Sequence, residues 1–217
     1  MGRTTRTQAI LAMLEQMYPD ARCELNYRNP FELLIATILS AQTTDQRVNE
    51  VTADLFQQYP TPERFLTMTE DELAAKIRGI GLFRNKSRHI LQTCRLLVEQ
   101  YNGQVPADRE ALESLPGVGR KTANVVLSNA FGIPAIAVDT HVFRVANRLG
   151  LANSDNVRET EEQLMRRIPK NKWSQAHHWL IWHGRRICHA RNPRCTECPL
   201  LTYCPYGKQR MKAIKTS

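Results

Sequence analysis

Four of the six cysteines lie within seventeen residues near the C-terminal end of the 217-residue chain. They follow the spacing C-x6-C-x2-C-x5-C, at Cys188, Cys195, Cys198 and Cys204. In a reducing compartment, clustered cysteines are metal ligands more often than they are disulfide partners. A fold of this chain must therefore bring residues 188–204 around one centre.

The spacing of these cysteines favours an iron–sulfur cluster over a zinc ion. Structural zinc sites usually have two close ligand pairs separated by a dozen or more residues, whereas this loop has one close pair, Cys195 and Cys198. The loop is compact enough to wrap a cube-shaped cluster held by four thiolates. Zinc is the rival interpretation. Cys23 and Cys94 are isolated in the sequence, and we expect them to be small buried residues.

The cysteine loop is also basic, because Arg191 and Arg194 lie between its first two cysteines. A loop that is stapled by a metal and holds these arginines outward would form a phosphate-binding surface. In the alternative interpretation, the loop only stabilises the fold and its charges are incidental.

The formal net charge of the chain is +9 at pH 7, and basic residues are concentrated towards its C-terminal end. Residues 183–217 contain eight Lys and Arg against a single acid, Glu197. Such a concentration indicates a polyanionic partner, either nucleic acid or an anionic membrane surface. We expect nucleic acid and no membrane, because the longest apolar run, residues 31–39, is shorter than the ~18 residues that span a bilayer.

The N-terminal sequence MGRTTRTQ lacks the apolar core of a secretory signal. Arg6 stands where the myristoylation pattern requires Ser or Thr. We therefore expect a cytoplasmic protein, associated with the nucleoid in a bacterium, or a nuclear protein in a eukaryote. No coiled-coil pattern indicates assembly, and we expect a monomer.

Helical patterns recur along the chain, whereas strand patterns are scarce. Helix starts are indicated at Asn29–Pro30, Thr61–Pro62, Thr69 with Glu72, Asp108 and Thr140. Gly79 and Gly150 are expected to end two of these helices. The sequence therefore predicts an all-α protein with short connections.

Two segments place Gly-[Ile/Val]-Gly between helical patterns: IRGIGLFRNK, residues 77–86, and LPGVGRKTAN, residues 115–124. In each segment the first glycine suits a helix C-cap, and the second permits close approach of the backbone. The repetition indicates either an old duplication or two similar helix turns.

The second glycine segment is not a nucleotide-binding P-loop. That loop requires glycine immediately before the lysine and another five residues earlier, and these positions hold Arg120 and Leu115. The turn around Gly117 and Gly119 instead presents backbone N–H groups at the start of the next helix, which is an anion site. A DNA phosphate needs no more than this. The alternative is an ordinary connection between two helices.

Lys121 lies in the first turn of the helix that follows. It can contact phosphate or be solvated, as most lysines are. Alternatively it is a nucleophile, since the helix dipole and Arg120 both disfavour its protonated form if the site is partly buried. Such an amine can attack a sugar carbon and form a Schiff base. Asp139 offers a carboxylate for that chemistry, although it can equally be a helix N-cap.

The segments LPGVGRKTANVV (115–126) and AVDTH (137–141), combined with the cysteine spacing, resemble the endonuclease III family of DNA glycosylases. This family belongs to the helix-hairpin-helix superfamily, and the resemblance extends from about Asn29 to Cys204. It implies an all-α protein of two lobes with the DNA site in the cleft between them. One lobe would be a six-helix barrel over residues 23–133, with the hairpin at about 109–128. The other, residues 1–22 and 134–217, would surround a 4Fe–4S cluster.

By this resemblance, Lys121 is the Schiff-base lysine and Asp139 is the family's carboxylate. Gln42 matches the residue that fills the gap left by an extruded nucleotide, and Leu82 matches the wedge inserted from the opposite side. The four cysteines match the cluster ligands, and His141 matches a position close to DNA. The implied reaction excises damaged, oxidised pyrimidines from double-stranded DNA and then cleaves the strand 3′ to the abasic site by β-elimination.

Two further interpretations compete with this one. The adenine-mismatch glycosylases share the hairpin, the aspartate and the cysteine loop, but they lack the lysine and have a further C-terminal domain. Lys121, and a chain that ends shortly after the cysteines, argue against them. A DNA-binding module with a metal-stapled loop and no enzymatic activity fits the charge and the hairpin equally well.

Overall fold

The structure is a computed structural model and describes residues 3–216, with the side chains of residues 5–214. The described residues form twelve α-helices: α1 (Arg3–Met17), α2 (Pro30–Leu39), α3 (Asp45–Gln58), α4 (Pro62–Phe65), α5 (Glu70–Lys76), α6 (Phe83–Tyr101), α7 (Arg109–Glu113), α8 (Arg120–Ala130), α9 (Thr140–Leu149), α10 (Val157–Arg167), α11 (Trp173–Arg186) and α12 (Pro205–Thr216). Three short 3-10 segments lie at Lys170–Lys172, Cys195–Glu197 and Leu201–Tyr203. None of these residues forms a strand. The prediction of an all-α protein is confirmed.

Most predicted helix starts are correct because they depend on local hydrogen bonds. The side chain of Asn29 accepts a bond from the Glu32 N–H, and Pro30 occupies the first position of α2. At the start of α5, Thr69 and Glu72 form both bonds of a capping box. Thr61 and Asp108 cap α4 and α7 through one bond each, accepted from the Arg64 N–H and the Ala111 N–H.

Two of the predicted helix boundaries are wrong, whereas the alternative interpretation of Asp139 as a helix N-cap is confirmed. Asp139, and not Thr140, is the N-cap of α9, since its Oδ1 accepts a hydrogen bond from the Val142 N–H at 2.7 Å. The sequence predicts that Gly79 ends α5, but the helix ends three residues earlier, at Lys76, and Ile77 is its C-cap. Gly150 does end α9, in the left-handed conformation at φ 68°.

The chain divides into two compact units. We call the stretch Glu24–Ile133, which contains helices α2 to α8, the internal unit. We call the segment through Cys23 together with the segment from Pro134 onward the terminal unit; it contains α1 and α9 to α12.

Helix α2 is the central helix of the internal unit. Every residue from Phe31 to Leu39 is buried, and the helix packs against α3, α6 and α8. A helix that is apolar on all sides is typically enclosed by other elements in this way. Its one acid, Glu32, forms an ion pair at 2.7 Å with Arg28. Helices α3, α6 and α8 are therefore arranged around α2, whereas α4 and α5 pack against α6 and α7 packs against α8.

The core of the terminal unit is formed by α1, α9 and α11. Trp179 is fully buried on α11, and Val142 and Val145 pack from α9. Two of the clustered cysteines, Cys188 and Cys204, belong to the same buried cluster. The cysteine loop is thus continuous with the core. No helix in the part of the chain described here is long and apolar enough to cross a membrane.

Candidate functional site

The second glycine segment forms a tight turn between α7 and α8 in the internal unit. Leu115 and Val118 are buried and anchor the turn, and the Val118 N–H donates to the Leu115 carbonyl at 3.1 Å. Gly117, the third residue of this turn, has φ +77°. A glycine is favoured there, because a left-handed conformation costs other residues about 1–2 kcal/mol. Ser114, and not Gly117, is the C-cap of α7.

Gly119 is the N-cap residue of α8, with extended backbone angles and no side chain that could bond to the first helical amides. The space that a Cβ would occupy at Gly119 is open. Gly117 and Gly119 are both exposed. An anion can therefore approach the backbone N–H groups at the positive end of the α8 dipole.

Lys121 is the second residue of α8, and its side chain is exposed. The preceding residue, Arg120, forms an ion pair with Glu113 at 3.7 Å between Nη1 and Oε1. The positive charge of Arg120 is therefore partly compensated within the hairpin. The partial burial that the sequence argument assumed for Lys121 is not present in the protein by itself.

Gln42 and Leu82 lie in two loops of the internal unit that are hydrogen-bonded to each other. Both have a φ of 57°, which is unusual for residues other than glycine. Both are exposed, and the side chain of Leu82 is among the most exposed of the large apolar residues, at 58%. The Gly81 N–H donates to Thr43 Oγ1 at 3.2 Å and joins the two loops. Strained, exposed residues of this kind often lie at functional sites.

In the terminal unit, Asp139 and His141 lie at the start of α9, at partly exposed positions. The N-cap bond of Asp139 uses Oδ1. His141 Nδ1 lies 3.1 Å from Arg144 Nη2. Because a guanidinium can only donate, Nδ1 is the acceptor, and the proton of the neutral ring is on Nε2. Burial lowers the pKa of His141, the charge of Asp139 opposes that shift, and Arg144 acts with burial. His141 is therefore an uncharged imidazole at neutral pH, and a hydrogen bond to the backbone of Gly184 also acts on its pKa.

The four clustered cysteines border one cavity in the terminal unit. The other lining residues are largely apolar and include Leu149, Ile187 and Leu201. No three His, Cys, Asp or Glu side chains among the described residues are arranged to hold a single metal ion. A four-iron cluster makes a different demand, since each thiolate binds its own iron and the four sulfurs surround a volume. The cavity fits that demand.

Two backbone or side-chain donors point at the sulfur atoms of this cavity. The Gly207 N–H donates to Cys204 Sγ at 3.2 Å, and Arg148 Nη1 donates to Cys188 Sγ at 3.5 Å. Burial raises the pKa of the Cys198 thiol to about 11, so a thiolate there needs compensation by a bound cation or by donors of this kind.

The two loop arginines differ in their contacts. Arg194 forms an ion pair at 3.4 Å with Glu197, and its Nη2 donates to the Arg186 carbonyl. Arg191 is exposed. Arg194 thus contributes to the conformation of the loop, whereas Arg191 is directed at solvent.

Three basic residues that no sequence motif indicated, Arg144, Arg148 and Lys86, make hydrogen bonds near the predicted site residues. Arg144 donates to the Cys188 carbonyl at 3.1 Å, and Arg148 donates to the His189 carbonyl at 2.7 Å. Two arginines four residues apart share one face of a helix, and this spacing in α9 was a signal for their common role. Lys86 is buried beneath the loops that carry Gln42 and Leu82.

An all-α fold with a glycine turn before an exposed lysine, and with four thiols around one cavity, defines a class of protein: the helix-hairpin-helix DNA glycosylases with an iron–sulfur loop. Comparison with family models agrees with this class. Residues 35–170 match the HhH-GPD superfamily of base excision DNA repair proteins. Residues 188–204 match the iron–sulfur binding domain of endonuclease III.

Individual relatives narrow the class further. The chain is 54% identical over 203 residues to endonuclease III of Bacillus subtilis, which covers 93% of both proteins. It is 51% identical to endonuclease III of Escherichia coli over 96% of this chain and 99% of the relative. A solved structure of a trapped endonuclease III–DNA covalent intermediate has a TM-score of 0.93 and 54% identity, and covers 97% of this chain and 100% of its own. A thermostable thymine-DNA glycosylase has a TM-score of 0.86 at 27% identity, over 94% of this chain and 98% of its own.

The chain therefore belongs to the endonuclease III family. The function expected from the sequence is confirmed: the protein is a base-excision DNA glycosylase with AP lyase activity. Its cofactor is a 4Fe–4S cluster. The zinc interpretation and the interpretation as a DNA-binding module without activity are both wrong.

Proposed function

We propose that Lys121 is the nucleophile of this enzyme. The observation that carries the proposal is the position of its exposed amine, two residues after the glycine turn and at the N-terminal end of α8. Binding of a phosphate to the turn brings a neighbouring sugar to the amine. The covalent intermediate with DNA, described for a structure that is 54% identical to this chain, supports an enzyme nucleophile.

The reaction then proceeds through base excision, Schiff-base formation and strand cleavage. The unprotonated Lys121 amine forms a bond to the sugar C1′, and the bond from C1′ to the base breaks, with a proton following the departing base. The bond from C1′ to the ring oxygen O4′ then breaks, O4′ takes up a proton, and C1′ and the lysine nitrogen form a Schiff base. This positive imine acidifies the C2′ proton, and removal of that proton expels the 3′ phosphate by β-elimination. Water finally hydrolyses the Schiff base and returns the amine of Lys121.

Asp139 is proposed to assist these steps as a carboxylate, since positive charge develops on the sugar as the base leaves. It either stabilises this charge or accepts a proton. Its N-cap bond to Val142 uses one carboxylate oxygen and fixes the orientation of the group. A positioned carboxylate needs no reorganisation at the moment of reaction.

The substrate is proposed to be double-stranded DNA with an oxidised pyrimidine or an abasic site. A base inside the duplex is out of reach, so its nucleotide must be extruded, which costs a few kcal/mol. Gln42 and Leu82 are proposed to occupy the space that the nucleotide leaves and so to offset this cost. Their exposure on adjacent loops of the internal unit supports the proposal.

Three side chains of the terminal unit are proposed to contact the DNA backbone. His141 lies at the start of α9, and Arg191 and Arg194 would add positive charge to the cysteine loop. The four cysteines are the proposed cluster ligands, and the cluster would supply the cross-links that keep this loop in one conformation. A monomer that acts in the cytoplasm, on nucleoid DNA if the cell is bacterial, is the proposed state of the protein.

Borohydride trapping tests the central assignment. Borohydride reduces a Schiff base to a stable amine and should leave this protein covalently attached to an oligonucleotide with an abasic site. We expect Lys121→Gln to abolish the adduct. Lys76→Gln is the matched control, because Lys76 is an exposed lysine of the same unit. An undiminished adduct in Lys121→Gln would refute the assignment of Lys121.

A further inference from the structure

Two loops of the internal unit behave as one hydrogen-bonded piece. The first is residues 40–43, after α2, and the second is residues 79–82, before α6. The Gly81 N–H bonds to Thr43 Oγ1 at 3.2 Å. The loops can approach because Gly81 has no side chain; a Cβ there would lie 3.3 Å from the carbonyl oxygen of Gln42.

A buried lysine lies beneath these loops. Lys86, in the first turn of α6, is 5% exposed. Its Nζ donates to the carbonyl of Leu39 at 2.8 Å and to that of Ala41 at 2.5 Å. Lysine is rarely buried, because its ammonium must then replace every hydrogen bond that it made to water. The residue therefore needs an explanation beyond packing.

The carbonyl partners of Lys86 supply part of that explanation. Leu39 is the last residue of α2, so its carbonyl is one that the helix cannot satisfy. A cation at a helix C-terminus is favoured by the helix dipole. Burial lowers the pKa of Lys86 to about 8, which leaves most of the side chain charged at neutral pH. An ammonium thus ties the end of α2 to the start of α6.

The hydrogen bonds of Lys86 lie next to two residues with strained backbone, Gln42 and Leu82. Gln42 directly follows Ala41, and Leu82 accepts a backbone bond from the Lys86 N–H at 3.0 Å. Gln42 and Leu82 each have a φ of 57°, a conformation that costs about 1–2 kcal/mol for residues with a side chain. Such strain persists where the surrounding contacts determine the backbone. Lys86 and the bond between Gly81 and Thr43 provide those contacts.

We propose that Lys86 is a positioning residue, which holds Gln42 and Leu82 in one rigid arrangement so that both side chains enter the DNA duplex together. The inference rests on the roles proposed above for these two residues. The loops are then already ordered in the folded protein. The entropy cost of ordering them therefore does not reduce the free energy of DNA binding. Neither Gln nor Leu adopts this backbone conformation by preference, so without the tie each would move independently.

The test uses the full-length protein with its cluster and compares Lys86→Met with Lys76→Met. Methionine keeps the length and apolar character of the lysine stem but makes no bond to the two carbonyls. On a duplex with a ring-saturated pyrimidine, we expect the single-turnover rate of Lys86→Met to fall roughly 10- to 100-fold, as expected for misplaced groups. Lys76→Met loses the same charge from an exposed site and should keep its rate.

A second readout separates positioning from a general loss of stability. A single-stranded oligonucleotide with an abasic site needs no extrusion, so Lys86→Met should form the borohydride adduct with it at the rate of the unchanged protein. Fluorescence of 2-aminopurine beside the lesion reports unstacking directly and should rise less with Lys86→Met. Equal losses on single-stranded and duplex DNA would overturn the inference.

A milder variant covers the case in which Lys86→Met does not fold. Thr43→Val removes the bond from the Gly81 N–H at a site that is not buried, and it should lower the duplex rate without changing the single-strand rate. A double-mutant cycle adds a further check. In a Gln42→Ala background, Lys86→Met should cause a smaller additional loss than it does alone, and fully additive losses would contradict the coupling.

Failure of the inference and failure of the underlying roles give different results. If Gln42→Ala and Leu82→Ala both keep the duplex rate, the proposed roles are wrong and the inference fails with them. If those two variants lose the rate while Lys86→Met and Thr43→Val keep it, the inference alone is wrong.

Discussion

Asp139 has two separable contributions, a structural one as the N-cap of α9 and a chemical one as a carboxylate. The two can be distinguished because asparagine caps a helix about as well as aspartate does. Asp139→Asn keeps an oxygen acceptor for the Val142 N–H, now 2.7 Å from Oδ1, and removes only the charge. Asp139→Ala removes both.

The stability costs follow from the structure. Loss of the negative charge at the helix N-terminus costs about 0.3–1 kcal/mol, which is the expected effect of Asp139→Asn. Replacement of an aspartate N-cap by alanine, which removes the charge and the hydrogen-bond acceptor together, costs about 0.5–2 kcal/mol, and this is the expected effect of Asp139→Ala. For a protein of this length, each kcal/mol lowers the unfolding midpoint by about 2–4 °C. Asp139→Ala should therefore unfold several degrees lower, and Asp139→Asn close to the unchanged protein.

The expected excision rates do not follow the expected stabilities. Both variants lack the carboxylate, so both should lose roughly 10²–10⁴-fold in single-turnover base excision, although only one is markedly less stable. Asn156→Ala is the matched control, because Asn156 caps α10 in the same unit through a 2.9 Å bond to the Glu159 N–H. It should lose stability and keep its rate.

The assays are thermal unfolding by circular dichroism and single-turnover excision from a duplex with an oxidised pyrimidine, each on protein with a full complement of iron. A near-normal rate for Asp139→Asn would leave Asp139 with the capping role alone. An unfolding midpoint for Asp139→Ala equal to that of Asp139→Asn would refute the capping argument.

Three further predictions concern other parts of the chain. Gly117→Ala should cost about 1–2 kcal/mol, since φ is +77° and a Cβ would lie 3.2 Å from His89 Cβ, whereas Gly119→Ala, in open space, should change the unfolding midpoint much less. Burial lowers the pKa of His178 to about 4. As the pH drops from about 6.5 to 4, this histidine is protonated in the unfolded chain before it is protonated in the folded protein, so the free energy of unfolding should fall. At pH 5 this amounts to about 2 kcal/mol; His178→Phe should remove that part of the loss in unfolding scans. The purified protein should be yellow-brown and contain iron, and Cys198→Ser should lower its iron content in metal analysis; stoichiometric zinc in colourless protein would contradict the cluster.

The parts of the fold that sequence predicts are those decided within a few residues. Asn29 with Pro30, and Thr69 with Glu72, fix their helix starts through bonds that span three residues. Asp139 and Thr140 show the limit of such reasoning. Both residues are good caps, and the choice between them depends on which backbone adopts an extended conformation before α9.

The sequence could not predict features that depend on distant contacts. The positive φ of Gln42 and Leu82 has no local cause, because neither residue favours that conformation. We have proposed that it is maintained by Lys86, which is remote from Gln42 in the sequence and donates to the carbonyls of Leu39 and Ala41. Likewise, the lowered pKa of His141 and its contact with Arg144 depend on the packing at the start of α9, which the sequence does not specify. The four cysteines were identifiable because their spacing alone restricts them to one centre.

The two glycine segments show why similar sequences can serve different purposes. In residues 115–124 the left-handed conformation falls on Gly117, where it carries little strain, and the turn presents bare backbone to an anion. In residues 77–86 it falls on Leu82, where it is strained, and the turn presents an apolar side chain to solvent. The last position of the first segment, Lys86, donates to the carbonyls of Leu39 and Ala41. On the roles we have proposed, the location of the positive φ distinguishes a turn suited to binding phosphate from a turn suited to inserting a side chain.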